Sequence, residues 1–334
     1  MPSPIDTLRT RLSQASADRR ITASETAGLL HAARKDGLSA EEARFLAASL
    51  TSHRDQFEPA AAEALRAALQ PVPPGTRRDL ADPAVLNKHA GAATHSWVQG
   101  QLFVGGVGAD DVIQGSIANC YLAAALSSVA SQSPGAVEDA IRDNGDGTFS
   151  VRFFEPSWGR TAPREVYVTV DGQLPTTGSG SLQYGKGRDR SELWVGLIEK
   201  AYAQWKGGYE AIGNGGSPGA VMGALVGRRD TYVGLSEGMN TQQLARQLRE
   251  ALASGKSVAA CTHGKDRDAL YQGSGLYAWH AYSVLGVSEE GGKTYVTLRN
   301  PWGNSEPGSD GANDGTFRLT VEEFAKFYAG AWLN

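Results

Sequence analysis

The chain holds two cysteines and six histidines, and a few of these stand in segments that suit acyl-transfer chemistry. Cys120 lies in Asp111-Val-Ile-Gln-Gly-Ser-Ile-Ala-Asn-Cys120-Tyr-Leu-Ala-Ala-Ala-Leu-Ser-Ser-Val129. Gly115 and Ser116 read as loop formers and Tyr121 to Val129 as a helix, so the thiol falls at or just before a helix N-terminus. Exposed N–H groups and the helix dipole favour the thiolate there, and the thiolate is the nucleophile. Gln114, six residues upstream, can return across the loop and offer its side-chain amide to a developing oxyanion. A cysteine by itself is more often a small buried apolar residue, so its partners decide the reading.

The partners sit far along the chain. Gly275-Leu-Tyr-Ala-Trp-His280-Ala-Tyr-Ser-Val-Leu-Gly286 reads as a strand with His280, Tyr282 and Val284 on one side. His263, beside Gly264 and Lys265, is a competing histidine but has the look of a loop residue. Tyr295-Val-Thr-Leu-Arg-Asn300 reads as the next strand, closed by Pro301. Two antiparallel neighbours bring Asn300 against the imidazole. A neutral amide there accepts the ring N–H, fixes the tautomer and orients the base, with Trp302 placed to shield the bond. Thiolate, base, orienting amide and oxyanion donor are the set that acyl transfer through a thioester requires.

Other elements must hold these groups in place. Residues 1–70 are rich in Ala, Leu, Glu and Arg at helical spacing, with Ser39 and Glu42 forming a capping box, Asp36-Gly37 a helix stop, and a further helix from Pro59 to Leu69. Ile21 and Leu38 sit at the eighth position of two faint calcium-loop patterns. Gln14, Ser16 and Asp18 in one, and His31, Ala33 and Lys35 in the other, do not supply the oxygen cage calcium needs, so a structural helix pair is expected. Pro71-Val-Pro-Pro-Gly75 reads as the start of an extended linker over 71–100 that carries the dibasic pair Arg77-Arg78. Leu193, Leu197, Ile198 and Tyr202 make a core-packing helix, as do Leu244, Leu248 and Leu252. Cys261, ending the run Val258 to Cys261, reads as a buried strand residue. Asp143-Asn-Gly-Asp-Gly147 reads as a hairpin turn.

Composition narrows the class. Hydrophobic residues are 41% and charged residues 20% of 334, enough apolar mass for a sizeable core. A net charge of −4 gives no basic footprint, so nucleic acid is not the expected partner. Two cysteines make neither a disulfide framework nor a four-cysteine zinc site. Neither a secretory leader nor an 18-residue apolar stretch is visible, so the expectation is a cytoplasmic protein with reduced thiols and no membrane partner. Export without a cleavable signal stays open.

From about residue 111 to 328 the sequence resembles the calpain family of papain-like cysteine proteases. Gln114-Gly115 with Asn119-Cys120-Tyr121-Leu122 resembles the nucleophile segment of that family. Glu192-Leu-Trp-Val-Gly-Leu-Ile-Glu-Lys-Ala-Tyr202 resembles a supporting helix, and Tyr209-Glu-Ala-Ile with Gly215-Gly-Ser217 a substrate-side loop. His280-Ala-Tyr-Ser-Val284, Arg299-Asn-Pro-Trp-Gly303, and Asp314-Gly-Thr-Phe317 with Glu323-Phe324 resemble the segments that follow. The resemblance implies an α+β fold: a two-lobed papain-like protease behind a small all-α N-terminal domain. A helical lobe over 101–216 would present Cys120, and a β-rich lobe over 217–334 would present His280 and Asn300. It implies Cys120 as nucleophile, His280 as base, Asn300 as orienter and Gln114 as oxyanion donor. Gly215 and Gly216 would line the cleft, where a missing Cβ admits a peptide backbone, and Trp302 would stand at the lobe interface.

The chain departs from the family pattern in places. Tyr121 replaces the tryptophan common after the cysteine, and Trp279 the glycine common before the histidine. An indole at 279 narrows the cleft and changes which side chains are accepted. Glu306, Asp310 and Asp314 do not reproduce the family's calcium pattern, so no cofactor or metal is expected and calcium dependence is not carried over. The implied activity is limited endopeptidase cleavage of protein or peptide substrates, working through a thiolate–imidazolium pair. Arg77 and Arg78 mark a region for self-cleavage, and the N-terminal helices are a pro-region or a module that binds a regulator or the protease core. Acyl transfer or deamidation on the same fold, and an inactive calpain-like binding protein, are the alternatives.

Overall fold

The computed structural model describes residues 3–35, 37–70, 73, 75–85, 93–156, 162–308 and 311–334. The chain opens with four helices: α1 (Pro4–Ala15), α2 (Ala23–Ala33), α3 (Ala40–Ser52) and α4 (Pro59–Ala68). Prolines start α1 and α4, where the missing N–H has no intrahelical partner to lose. Thr22 with Glu25 and Ser39 with Glu42 form reciprocal capping boxes on α2 and α3. Leu8, Leu12, Leu29, Leu46 and Leu65 pack between the four helices. Ile21 forms a parallel bridge with Phe57, its N–H reaching the Gln56 carbonyl at 2.7 Å. Leu38, the expected counterpart of Ile21, instead immediately precedes the Ser39 cap. Asp36 of the expected helix stop lies outside the described residues, while Gly37 takes a left-handed φ of 87°.

The remaining α-helices and strands in chain order are β1 (Thr94–Trp97), α5 (Cys120–Gln132), α6 (Pro134–Ala140), β2 (Ile141–Asp143), β3 (Thr148–Glu155), β4 (Arg164–Asp171), β5 (Gln173–Thr176), α7 (Trp194–Lys206), α8 (Tyr209–Ile212) and α9 (Pro218–Val226). They are followed by β6 (Thr231–Gly234), α10 (Thr241–Ala253), β7 (Val258–Thr262), β8 (Ala281–Glu290), β9 (Lys293–Arg299), β10 (Thr316–Thr320), α11 (Val321–Phe327) and β11 (Tyr328–Leu333). Among the described residues the strands make three sheets, ordered β1-β5, β2-β3-β4 and β10-β9-β8-β7-β11-β6. The turn at 143–147 does join an antiparallel pair, β2 and β3.

Two apolar cores follow from this layout. One surrounds α5, whose Ala- and Leu-rich sequence is buried on nearly every side, against Trp194, Leu197 and Ile198 of α7. The other fills the space between the six-stranded sheet and α10 and α11, with Leu244, Leu248, Tyr282, Leu298 and Phe324. Helix α9 packs into the first core through Val221, Met222 and Leu225, although the sequence reading ended that half at 216. The reason is composition: Ala, Val, Met and Leu leave α9 no polar face to turn outward.

The N-terminal helices dock on β4. Arg11 pairs with Glu165 at 2.6 Å, the Tyr167 N–H donates to Ser24 Oγ at 2.9 Å, and the buried His31 donates from Nε2 to the Asp139 carbonyl at 2.9 Å. Pro71, Val72 and Pro74 of the expected linker lie outside the described residues. Beyond them, residues 76–85 are pinned to the surface rather than free. The Arg78 N–H donates to the Asp146 carbonyl (2.9 Å), the Leu80 N–H to Asp171 Oδ2 (2.7 Å) and the Tyr209 N–H to the Ala84 carbonyl (3.2 Å). Asp82 joins Asp171 in flanking the buried Lys200 ammonium. Residues 94–97, also within the expected linker, pair with β5. No helix among the described residues is long and apolar enough to cross a membrane.

Candidate active site

Strands β8 and β9 run antiparallel with Ser283 opposite Arg299, which leaves His280 and Asn300 at the same end of the ladder. The strand begins at Ala281, so His280 stands just before it rather than within it. Its N–H is held by Thr262 Oγ1 at 2.9 Å. His280 Nε2 lies 3.0 Å from Asn300 Oδ1. The Asn300 amide is itself oriented: Oδ1 also accepts the Trp302 N–H at 3.2 Å, and Nδ2 donates to the Ser305 carbonyl at 3.0 Å. An oxygen facing Nε2 requires the proton on that nitrogen, which leaves the Nδ1 lone pair able to accept a proton. Trp302 covers the pair, its ring 4.5 Å from the imidazole. Burial lowers the His280 pKa to about 4, against the smaller upward pull of Asn300.

Cys120 is the first residue of α5. Burial pushes its thiol above the usual value, and the backbone N–H groups of Ala281, Tyr121 and Cys120 pull the other way without overcoming it. The helix-start effect expected from the sequence is therefore present but smaller than desolvation.

Cys120 and His280 line one cavity of about 80 Å³, together with Gly215, Gly216, Trp279 and Cys261. The Gly215 N–H donates to the Ala118 carbonyl at 3.1 Å, tying the glycine wall to the loop before Cys120. Cys261 is a surprise in this position. It sits opposite Ala281 in the β7–β8 ladder, so its side chain shares the face that meets α5. Burial raises its thiol to about 12. The run Val258 to Cys261 gave the strand but not its neighbour, and only the β7–β8 register reveals the position. His263 lies elsewhere, bonded through Nε2 to the Lys326 carbonyl at 3.2 Å and lining a separate cavity.

Gln114 bridges both halves of the site. Its N–H donates to the Pro301 carbonyl at 2.8 Å, one residue past Asn300, and its side-chain Nε2 to the Ile117 carbonyl at 2.8 Å. One amide hydrogen remains for another acceptor. Sequence reasoning missed Glu199, which it placed in a packing helix. Glu199 is fully buried, accepts Asn119 Nδ2 at 2.6 Å and the Gly185 N–H at 2.8 Å, and is raised by burial to about 7. It therefore anchors the residue directly before Cys120. A Glu-Lys pair inside an apolar helical stripe was the available signal.

Among the described residues no group of three or more acidic, histidine or cysteine side chains is placed to hold a metal. Asp310 lies outside those residues. Glu306 accepts the Gly315 N–H and Asp314 the Thr316 N–H (2.8 Å), so both carboxylates serve the local backbone.

The profile of the calpain family cysteine proteases matches residues 91–316. The chain belongs to the calpain family. This calpain-family chain is 32% identical over 238 residues to the calpain-type cysteine protease DEK1 of Zea mays, covering 65% of its own length and 10% of that protein. It is 32% identical over 221 residues to Calpain-A of Drosophila melanogaster, and 31% identical over 227 residues to the calpain-2 catalytic subunit of Rattus norvegicus. Those matches cover 61% and 62% of the calpain-family chain, and 25% and 30% of the two relatives. It thus spans a tenth of the plant relative and under a third of these animal ones.

Proposed function

We propose that this calpain-family chain is a cysteine endopeptidase with a two-lobed papain-like catalytic unit. The first lobe gathers around α5 and runs through α9; the second is the six-stranded sheet with α10 and α11. The N-terminal helices form an accessory domain. The observation that carries the reading is the His280–Asn300 bond at 3.0 Å on the wall of the cavity that Cys120 lines.

In this reading Nδ1 of His280 takes the Cys120 proton as the sulfur attacks a peptide carbonyl. The oxyanion is met by the Cys120 N–H, which as a first-turn group has no intrahelical acceptor, and by the free Gln114 amide hydrogen. The imidazolium, steadied by Asn300, then protonates the leaving amine. Water, deprotonated by the same nitrogen, resolves the thioester.

The pinning of residues 76–85 bears on self-processing. Cleavage at Arg77-Arg78 would need that segment to lift from Asp146 first, and would leave Asp82 with the protease half. All six cavity residues named above come from beyond residue 118, so the helices act from a distance, as a docking module.

The test is hydrolysis of a quenched-fluorescent protein substrate in reducing buffer. Wild type cleaves, Cys120→Ala does not, and both give the same circular dichroism spectrum. Cleavage by the alanine variant at the wild-type rate would reject Cys120 as nucleophile. Ammonia release from glutamine peptides without new termini would favour deamidation instead.

A further inference from the structure

We propose that Trp279 sets the substrate class of this site: its indole roofs the groove beside Cys120, so that one residue flanking the scissile bond must be glycine, alanine or serine. The inference rests on the endopeptidase reading above and names what that site accepts.

The backbone at Trp279 is unusual. Its φ is 54°, the left-handed region that bulky side chains avoid. The conformation is imposed by β7. The Trp279 N–H donates to the His263 carbonyl at 2.7 Å, while the Thr262 N–H reaches the His280 carbonyl at 2.9 Å. Glycine would meet this geometry without strain, yet a tryptophan stands there. A strained backbone held by its surroundings beside reacting groups is a pattern that marks function.

The indole is also placed where a substrate must pass. It is 55% exposed, with the Lys265 ammonium 5.1 Å from its ring centre. Its far edge reaches the opposite wall, since a Cβ built on Gly215 would come within 3.5 Å of Trp279 Cζ2. The neighbouring wall cannot retreat: a Cβ on Gly216 would fall 2.5 Å from the Tyr121 ring. That ring is fixed by its hydroxyl, which donates to the Ile212 carbonyl at 3.2 Å. What remains between these surfaces is the cavity of about 80 Å³. Pockets that enclose sizeable ligands run to roughly 300–1,000 Å³. An extended peptide backbone with a small side chain suits the space left, and a leucine or phenylalanine would have to displace the indole.

Two measurements on the full chain decide the matter. The first is a peptide library randomised at the positions flanking the scissile bond. Wild type should show one position restricted to Gly, Ala or Ser. Trp279→Gly should raise kcat/KM for large over small residues there at least tenfold, and Trp279→Phe should keep the restriction. An unrestricted wild-type profile, or the same profile in Trp279→Gly, overturns the proposal. The second is alkylation of Cys120, located by peptide mapping, with iodoacetamide and with a naphthyl iodoacetamide. The ratio of bulky to small reagent rates should rise at least tenfold in Trp279→Gly; an unchanged ratio overturns the roof. Were no form of the protein to cleave peptides, the endopeptidase reading would fail, while the alkylation ratio would still report on Trp279.

Discussion

Asn300 Oδ1 accepts the Nε2–H of His280 at 3.0 Å while also accepting the Trp302 N–H, so one amide oxygen orients both the imidazole and the residue whose ring covers it. Replacing Asn300 with alanine removes that acceptor and leaves a buried imidazole N–H without a partner. We expect kcat/KM to fall by more than about tenfold and stability by about 1–3 kcal/mol. Steady-state kinetics and urea unfolding of the same preparation measure the two effects.

Gln114→Ala should lower kcat by about 10²–10³ with little change in KM, the signature of a donor used mainly in the transition state. A change confined to KM would instead make Gln114 a substrate-binding residue.

Burial of the Cys120 thiol leads to a further prediction. With the Cys120 thiol raised by burial, the rate of iodoacetamide labelling should keep climbing with pH beyond about 8.5, the value of a free thiol. A plateau already reached below neutral pH would mean that the thiolate–imidazolium form predominates.

Buried groups also shape stability against pH. The His280 and His31 imidazoles are both lowered to about 4 by burial. The unfolded chain protonates them from about 6.5 downward, so each withdraws stability as pH falls through that window, by up to about 3 kcal/mol. Glu199 works in the opposite sense. Raised to about 7, it supports the fold while protonated and withdraws stability as pH rises from its unfolded value toward 7. In Glu199→Gln that opposing contribution is gone, so the melting temperature of the variant relative to wild type should increase between pH 4.5 and 7. Thermal melts across this range check the sign; a constant difference would show that Glu199 does not titrate there.

Lys200 is buried between Asp171 and Asp82 and also donates to the Gln173 carbonyl at 2.7 Å. Lys200→Ala strands a buried carboxylate and should destabilise the protein by about 3–5 kcal/mol. Because Asp82 belongs to the pinned segment, the variant should also be cut faster by trypsin at Arg77 and Arg78. Denaturant unfolding and limited proteolysis followed by mass spectrometry read the two outcomes.

Local signals in the chain carried a good deal of this. The capping box at Ser39 obeys a rule that operates over three or four residues. The same holds for the turn at 143–147 and the placing of Cys120 at a helix start. The conjunction of Cys120, His280 and Asn300 was legible because chemistry restricts which side chains can serve as nucleophile, base and orienter. Short-range rules do not reach the pairing of Ile21 with Phe57, the docking of residues 76–85, or the burial of α9 in the first core, since each depends on which distant surface is nearest.

The sequence by itself determined which side chains were candidates for the chemistry and most of the helices and strands that bear them, because residue type and periodicity are local properties. Tertiary structure alone decided the desolvation of Cys120 and His280, the arrival of Cys261 in the cavity they line, the anchoring of Asn119 by Glu199 and the approach of the Trp279 indole to Gly215. Desolvation and contact across the fold are set by what surrounds a group in space, and that is not written in its neighbours along the chain.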